Sequence, residues 1–163
     1  MHGQSTIVLD MSFLNNRVPP PVVALLLAAL MWWLSDAAVA GLTWPAWVRW
    51  MAVPALVIGL GFDLAGLYEF WRFKTTVNPL APERASQLVT HGIYRITRNP
   101  MYVGLACNLL AWALYLPNPL ALLGPVLFVA YITRFQIQPE EQALLRLFGE
   151  PYGHYMKSVR RWL

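Results

Sequence analysis

Four apolar runs organise this chain: Val22–Leu34, Trp47–Phe70, Met101–Leu116 and Leu120–Ile137. A helix needs about 20 apolar residues to cross a bilayer. The first run extends through Ala37–Ala40, and the second is long enough to tilt or protrude. The third is short, and the fourth carries Arg134 near its end. Pro117-Asn118-Pro119 separates the last two, because proline cannot continue the backbone ladder. The pattern predicts an all-α integral membrane protein of about four transmembrane helices, folded as a single domain over residues 1–163. The loop Arg72–His91 carries Asn78, Pro79 and Pro82 and is expected to be irregular. Pro100 suits the first turn of the third span, with Asn99 as its N-cap. Pro139-Glu140-Glu141 is expected to begin or kink a helix. Ala143, Leu144, Leu147 and Phe148 then recur at helical spacing, and Gly149 and Pro151 stop that helix. A last segment, Pro151–Leu163, places Tyr152, Tyr155, Val159 and Trp162 on one stripe. These two segments predict an amphipathic helical tail lying at the membrane interface.

Composition agrees with the pattern. The 163 residues are 58% hydrophobic and 12% charged, against about 25% charged for a soluble domain. With four spans, Arg17, Arg72, Lys74, Arg84, Arg95, Arg98, Arg134, Arg146, Lys157, Arg160 and Arg161 fall on one side and only Arg49 on the other. The positive-inside rule puts both termini and the Arg72–Arg98 loop in the cytoplasm. Trp32, Trp33, Trp44, Trp47, Trp50 and Trp71 lie near span ends, where tryptophan anchors helices at the interface. Met1–Asn16 lacks the apolar core of a cleavable signal peptide. Cys107 stands alone in an apolar run, and His2, His91 and His154 have no metal-ligand spacing. Neither a metal nor a nucleic-acid partner is expected.

Gly59-Leu60-Gly61 with Gly66 superficially suggests a dinucleotide loop, but that fingerprint must follow a strand and open a helix. Inside a span, small residues let helices approach closely. Asp63 lies deep in the same span, either paired within the bundle or lining a polar cavity. Glu69 reads more simply as an interfacial carboxylate near a basic partner. The antiparallel hairpin of the last two spans brings Arg98, Asn99 and Tyr102 near Glu140 and Glu141. Each has a bland role by itself: a helix cap, a lipid-phosphate contact, carboxylates at a helix N-terminus. Their clustering in so short a chain favours a ligand site.

The segments Leu88-Val89-Thr90-His91-Gly92-Ile93-Tyr94, Arg98-Asn99-Pro100-Met101-Tyr102, Glu140-Glu141, Phe148-Gly149, Tyr152 and Tyr155 together resemble the isoprenylcysteine carboxyl methyltransferase and phospholipid methyltransferase superfamily. The resemblance lies within residues 86–163. It implies S-adenosylmethionine as cofactor, bound in a cytoplasmic-side pocket that the C-terminal tail covers. Carried over by position, it implies cofactor contacts at Gln87, Leu88, Val89, His91, Gly92, Tyr94, Asn99, Pro100, Met101, Tyr102, Glu140 and Glu141. It implies catalytic positions at Arg98, Asn99 and Tyr102, and acceptor contacts at Arg134 and Gln136. The residue types suit the ligand. A carboxylate pairs with an ammonium or accepts from ribose hydroxyls, tyrosine faces attract a sulfonium, and Arg98 or backbone N–H groups hold a carboxylate.

Two positions depart from the superfamily pattern. Asn99 stands where the family has histidine, which removes a proton shuttle but leaves in-line positioning intact. Gln136 stands where the isoprenylcysteine branch has an arginine for the substrate carboxylate. The expected reaction is methyl transfer to a lipophilic or small acceptor, thiol or carboxylate before amine, entering from the membrane lipid. The alternatives are a nicotinamide-dependent reductase related to sterol reductases and a non-catalytic membrane scaffold.

Overall fold

The computed structural model describes residues 15, 17–36, 43–72 and 88–163, and its regular elements are all helical. Helix α1 spans Pro20–Asp36. A 3₁₀ turn at Ala46–Met51 leads into α2, Ala52–Arg72. A second 3₁₀ turn, Gly92–Arg95, precedes α3, Pro100–Tyr115. A third, Pro119–Leu122, opens α4, Leu123–Ile132. A π turn at Thr133–Ile137 joins α4 to α5, Gln138–Phe148, and α6 covers Glu150–Ser158. Since α4, the π turn and α5 run on without a break, the six α-helices among the described residues make five rods.

Two of these rods, Ala46–Arg72 and Pro119–Phe148, are long and apolar enough to cross a membrane. The other apolar runs give the shorter helices α1 and α3. Large apolar side chains, including Leu25, Trp33, Val57, Leu64 and Val126, point outward. An outer face of that kind suits a hydrocarbon solvent. The inner core joins α1, α3 and α4 through Met31, Leu109, Ala113, Phe128, Ile132 and Ile137.

Helices α2 and α3 pair antiparallel, and glycine decides how closely. A Cβ on Gly59 would overlap the Asn108 amide, and one on Gly104 would overlap the Asp63 carboxylate. Each polar side chain thus fills the notch left by a glycine on the facing helix, and Asn108 Nδ2 donates to Asp63 Oδ2 at 2.8 Å. Asp63 is therefore paired within the bundle. Gly104→Ala would also bring its Cβ within 2.8 Å of the Gly59 carbonyl. That overpacking is expected to cost about 1–3 kcal/mol, read as a lower melting midpoint in detergent. An unchanged midpoint would mean that this crossing yields easily.

Pro100 opens α3 as expected, but Asn99 makes no side-chain cap and turns its amide elsewhere. The Pro117–Pro119 break is sealed by Asn118 Oδ1, which accepts from the Leu120 N–H at 2.9 Å. Pro139 lies in the first turn of α5, as expected, and follows the π turn without a break. It lacks an N–H and its ring would clash one turn back, and the wider π turn just before it lies where that conflict falls. The tail helix ends at Ser158 rather than running to Leu163. Val159 is extended, with φ −125° and ψ 136°, and the last residues fold back over the bundle. The expected stripe breaks accordingly: Tyr152 and Tyr155 pack with Val89 and Tyr94, whereas Trp162 joins the core of α1, α3 and α4.

Candidate functional site

The C-terminal end of α2, the N-terminal end of α3 and the start of α5 meet at one end of the bundle. Tyr102, on the first turn of α3, donates its hydroxyl to Glu140 Oε1 at 2.7 Å. Gln136, in the π turn, donates Nε2 to the same oxygen at 2.5 Å. Gln136 is 2% exposed, so its amide steadies Glu140 from inside the bundle. The π turn contributes to this arrangement by resetting the helix face on which Glu140 and Glu141 emerge.

Glu141 has a different environment. Arg98 Nη2 lies 2.9 Å from its Oε1, and Arg161 Nη2 lies 2.6 Å from its Oε2. Arg161 adds a second, roughly parallel bond from Nε at 3.0 Å, the two-pronged geometry that guanidinium favours. The same bonds hold the Arg161 charge more firmly than usual. Backbone contacts extend the strap. Arg98 N–H donates to the Arg160 carbonyl at 3.0 Å. Thr97 Oγ1 and Asn99 Nδ2 donate to the Arg161 carbonyl at 3.2 and 2.9 Å. Trp162 Nε1 donates to Thr133 Oγ1 at 3.1 Å. The Arg98 side chain is buried, yet its Nε and Nη1 reach no acceptor.

The third part is aromatic. Tyr155 donates to the Tyr94 carbonyl at 2.6 Å, and Phe70 meets the Tyr94 ring edge-on with centroids 5.6 Å apart. Burial pushes the phenols of Tyr94, Tyr152 and Tyr155 above their ordinary range. All three therefore stay protonated near neutral pH.

Several residues expected from sequence do converge: Tyr94, Arg98, Asn99, Tyr102, Gln136, Glu140 and Glu141, with Leu88 and Val89 packed behind Tyr94. Others sit apart. Met101 is turned toward Gly66 of α2. His91 is exposed. Arg134 is exposed and holds its guanidinium over the Phe135 ring at 5.5 Å. Gln87 lies outside the described residues. Sequence reading missed Arg161, Thr97 and Trp162, because their roles arise only when the tail folds back. An open groove of about 670 Å³ beside α6, lined by Thr90, Arg95, His154, Tyr155 and Ser158 among others, uses none of the residues expected to touch the cofactor.

One end of this apolar helical bundle thus gathers Tyr102, Glu140, Glu141, Arg98 and Arg161 into one cluster. Residues 47–151 match the phospholipid methyltransferase family, and the chain belongs to that family of membrane methyltransferases. The match begins in the 3₁₀ turn before α2, so it takes in a helix that the sequence motifs did not reach. Among curated proteins, the chain is 31% identical over 126 residues to protein-S-isoprenylcysteine O-methyltransferase A of Arabidopsis thaliana, covering 73% of this chain and 60% of that protein. It is 28% identical over 131 residues to methanethiol S-methyltransferase of Pseudomonas deceptionensis, covering 77% and 45%. An uncharacterized protein of Haemophilus influenzae is 49% identical over 63 residues, 39% of this chain and all of that one. The chain thus spans about half the length of the two methyltransferases.

Proposed function

We propose that this chain transfers a methyl group from S-adenosylmethionine to a lipophilic or small acceptor at the membrane. The observation that carries the reading is the set of incomplete partners at the cluster. The Arg98 side chain is buried with two N–H-bearing nitrogens unpaired. Among the described residues, Glu140 accepts from the neutral groups of Tyr102 and Gln136. A buried guanidinium short of acceptors fits a carboxylate, and a half-buried carboxylate held by neutral donors fits a cation. The amino-acid end of S-adenosylmethionine presents both.

The bound cofactor would supply a methyl group on a sulfonium, already carrying its leaving group. The chain's own residues then bind and orient. Arg98, held by Glu141, offers its free N–H groups to the carboxylate. Glu140 and the ring faces of Tyr94 and Tyr102 favour the positive centres. The Arg160–Trp162 strap and α6 limit water access. Asn99 is occupied by the tail carbonyl and moves no proton. Catalysis therefore rests on proximity and alignment.

The acceptor is expected to attack through oxygen or sulfur. The names of the two methyltransferase relatives, one an O- and the other an S-methyltransferase, support that order. The acceptor would enter from the lipid between helices, with α1–α4 embedded and the termini and site facing the cytoplasm of a bacterial inner membrane. The one-sided placement of basic residues supports this orientation. Titration of the detergent-purified chain with S-adenosylhomocysteine and, separately, NADPH tests the reading. Saturable binding of the first alone is expected. Binding of NADPH alone would point to a reductase, and binding of neither by folded protein to a scaffold.

A further inference from the structure

Glu69, near the C-terminal end of α2, is a carboxylate that the sequence motifs leave out and burial makes costly. It is 6% exposed, and its Oε2 has no hydrogen-bond partner. Taking an ionised carboxylate out of water is costly unless an opposite charge or good donors replace the hydration. An interfacial carboxylate serving only solubility would point to solvent instead.

The carboxylate points toward the His91–Tyr94 turn. A Cβ on Gly92 would overlap it, and Gly92 also has φ +57°, a conformation that other residues adopt only with strain. Two separate constraints thus fall on one glycine, and both keep the turn close to Glu69. Tyr94 lies two residues beyond Gly92, and its ring meets Phe70, the residue next to Glu69 on α2. Tyr94 itself is fixed by Phe70 on its edge and Tyr155 on its carbonyl.

We propose that Glu69 is a second carboxylate of the cofactor pocket, on the α2 side of Tyr94, and that it faces a positive centre of bound S-adenosylmethionine. This rests on the methyltransferase reading above. Glu69 and Glu140 then bracket Tyr94, and a cation there meets two carboxylates and an aromatic ring. The α2 helix becomes part of the binding site as well as of the bundle.

The test is titration of the full chain, wild type and Glu69→Gln, with three ligands: S-adenosylmethionine, S-adenosylhomocysteine and 5′-methylthioadenosine. The last is a neutral nucleoside without the amino-acid end. Glu69→Gln is expected to weaken S-adenosylmethionine at least tenfold and leave 5′-methylthioadenosine unchanged. An equal loss for S-adenosylhomocysteine places the ammonium at Glu69, and no loss for it places the sulfonium there; either supports the proposal. Unchanged affinity for all three, or an equal loss for all three, would overturn it. If the Gln variant does not fold, Glu69→Asp keeps the charge but withdraws it by one methylene, and the ratio of charged to neutral ligand affinity within that variant gives the same answer. Wild-type protein that binds none of the three would overturn the methyltransferase reading and this inference together. Normal binding that is indifferent to Glu69 would overturn this inference alone.

Discussion

Glu141→Ala is expected to be among the most destabilising substitutions in the chain, costing about 3–5 kcal/mol, the range for breaking a buried ion pair from one side. Its partner Arg98 has a side chain only 8% exposed and, among the described residues, makes one ion pair, through Nη2. Without Glu141 the guanidinium would stay buried with no anion. Arg161 would suffer less, because its side chain is 34% exposed and can return to water. Arg161→Ala is accordingly expected to cost about 1 kcal/mol or less through its charge. Thermal melting in detergent measures both. The double variant Glu141→Ala/Arg98→Ala should recover much of the loss, since no buried charge is then left alone. If Glu141→Ala alone melts with wild type, Glu141 is not the hub that its contacts indicate.

Glu140→Gln is expected to show the opposite phenotype one residue away. Glutamine keeps an oxygen to accept from Tyr102 or Gln136, so the melting midpoint should move little. The charge that would favour the cofactor's positive end is lost. Removing one side of a buried charge pair costs about 2–5 kcal/mol of binding, equivalent to roughly 30-fold or more in affinity. Isothermal titration with S-adenosylhomocysteine reads this directly. Wild-type affinity in Glu140→Gln would remove Glu140 from the pocket. Loss of stability in place of affinity would make it a structural residue like Glu141.

The contrast between these neighbours marks how far the sequence could be read. Local rules held where local chemistry decides. Pro100 opens α3, the Pro117–Pro119 break separates two helices, and Gly149, at φ +60°, ends α5. The glycines of α2 were legible as a close-packing surface, though not the detail that Asp63 and Asn108 each fill the opposite notch. The two glutamates looked equivalent because nothing in Pro139-Glu140-Glu141 says which helix faces which neighbour. Asn99 has the chemistry of an N-cap, but a tail carbonyl distant in sequence competes for its amide. Arg160, Arg161 and Trp162 looked like an interfacial flank because basic and aromatic residues at a span end usually are. Their contacts with Arg98, Glu141 and Thr133 depend on tertiary closure, which no periodicity encodes. Glu69 was legible as a carboxylate but not as a buried one, since its burial comes from a turn more than twenty residues away.

The π turn between α4 and α5 also bears on how this sequence can change through time. An extra residue in one turn rotates everything beyond it by about 100° relative to a regular helix. Loss of one residue within Thr133–Ile137 would let the turn relax to a regular helix and leave Glu140 and Glu141 facing as they do. The same loss in α4, with the turn kept, would carry Glu140 away from Tyr102 and bring Glu141 round in its direction. Length variation is therefore absorbed at the turn and ruinous for recognition beside it. Alignments through this stretch should be anchored on the glutamates and not on the continuity of the hydrophobic run, because a single misplaced gap exchanges two side chains with unlike duties.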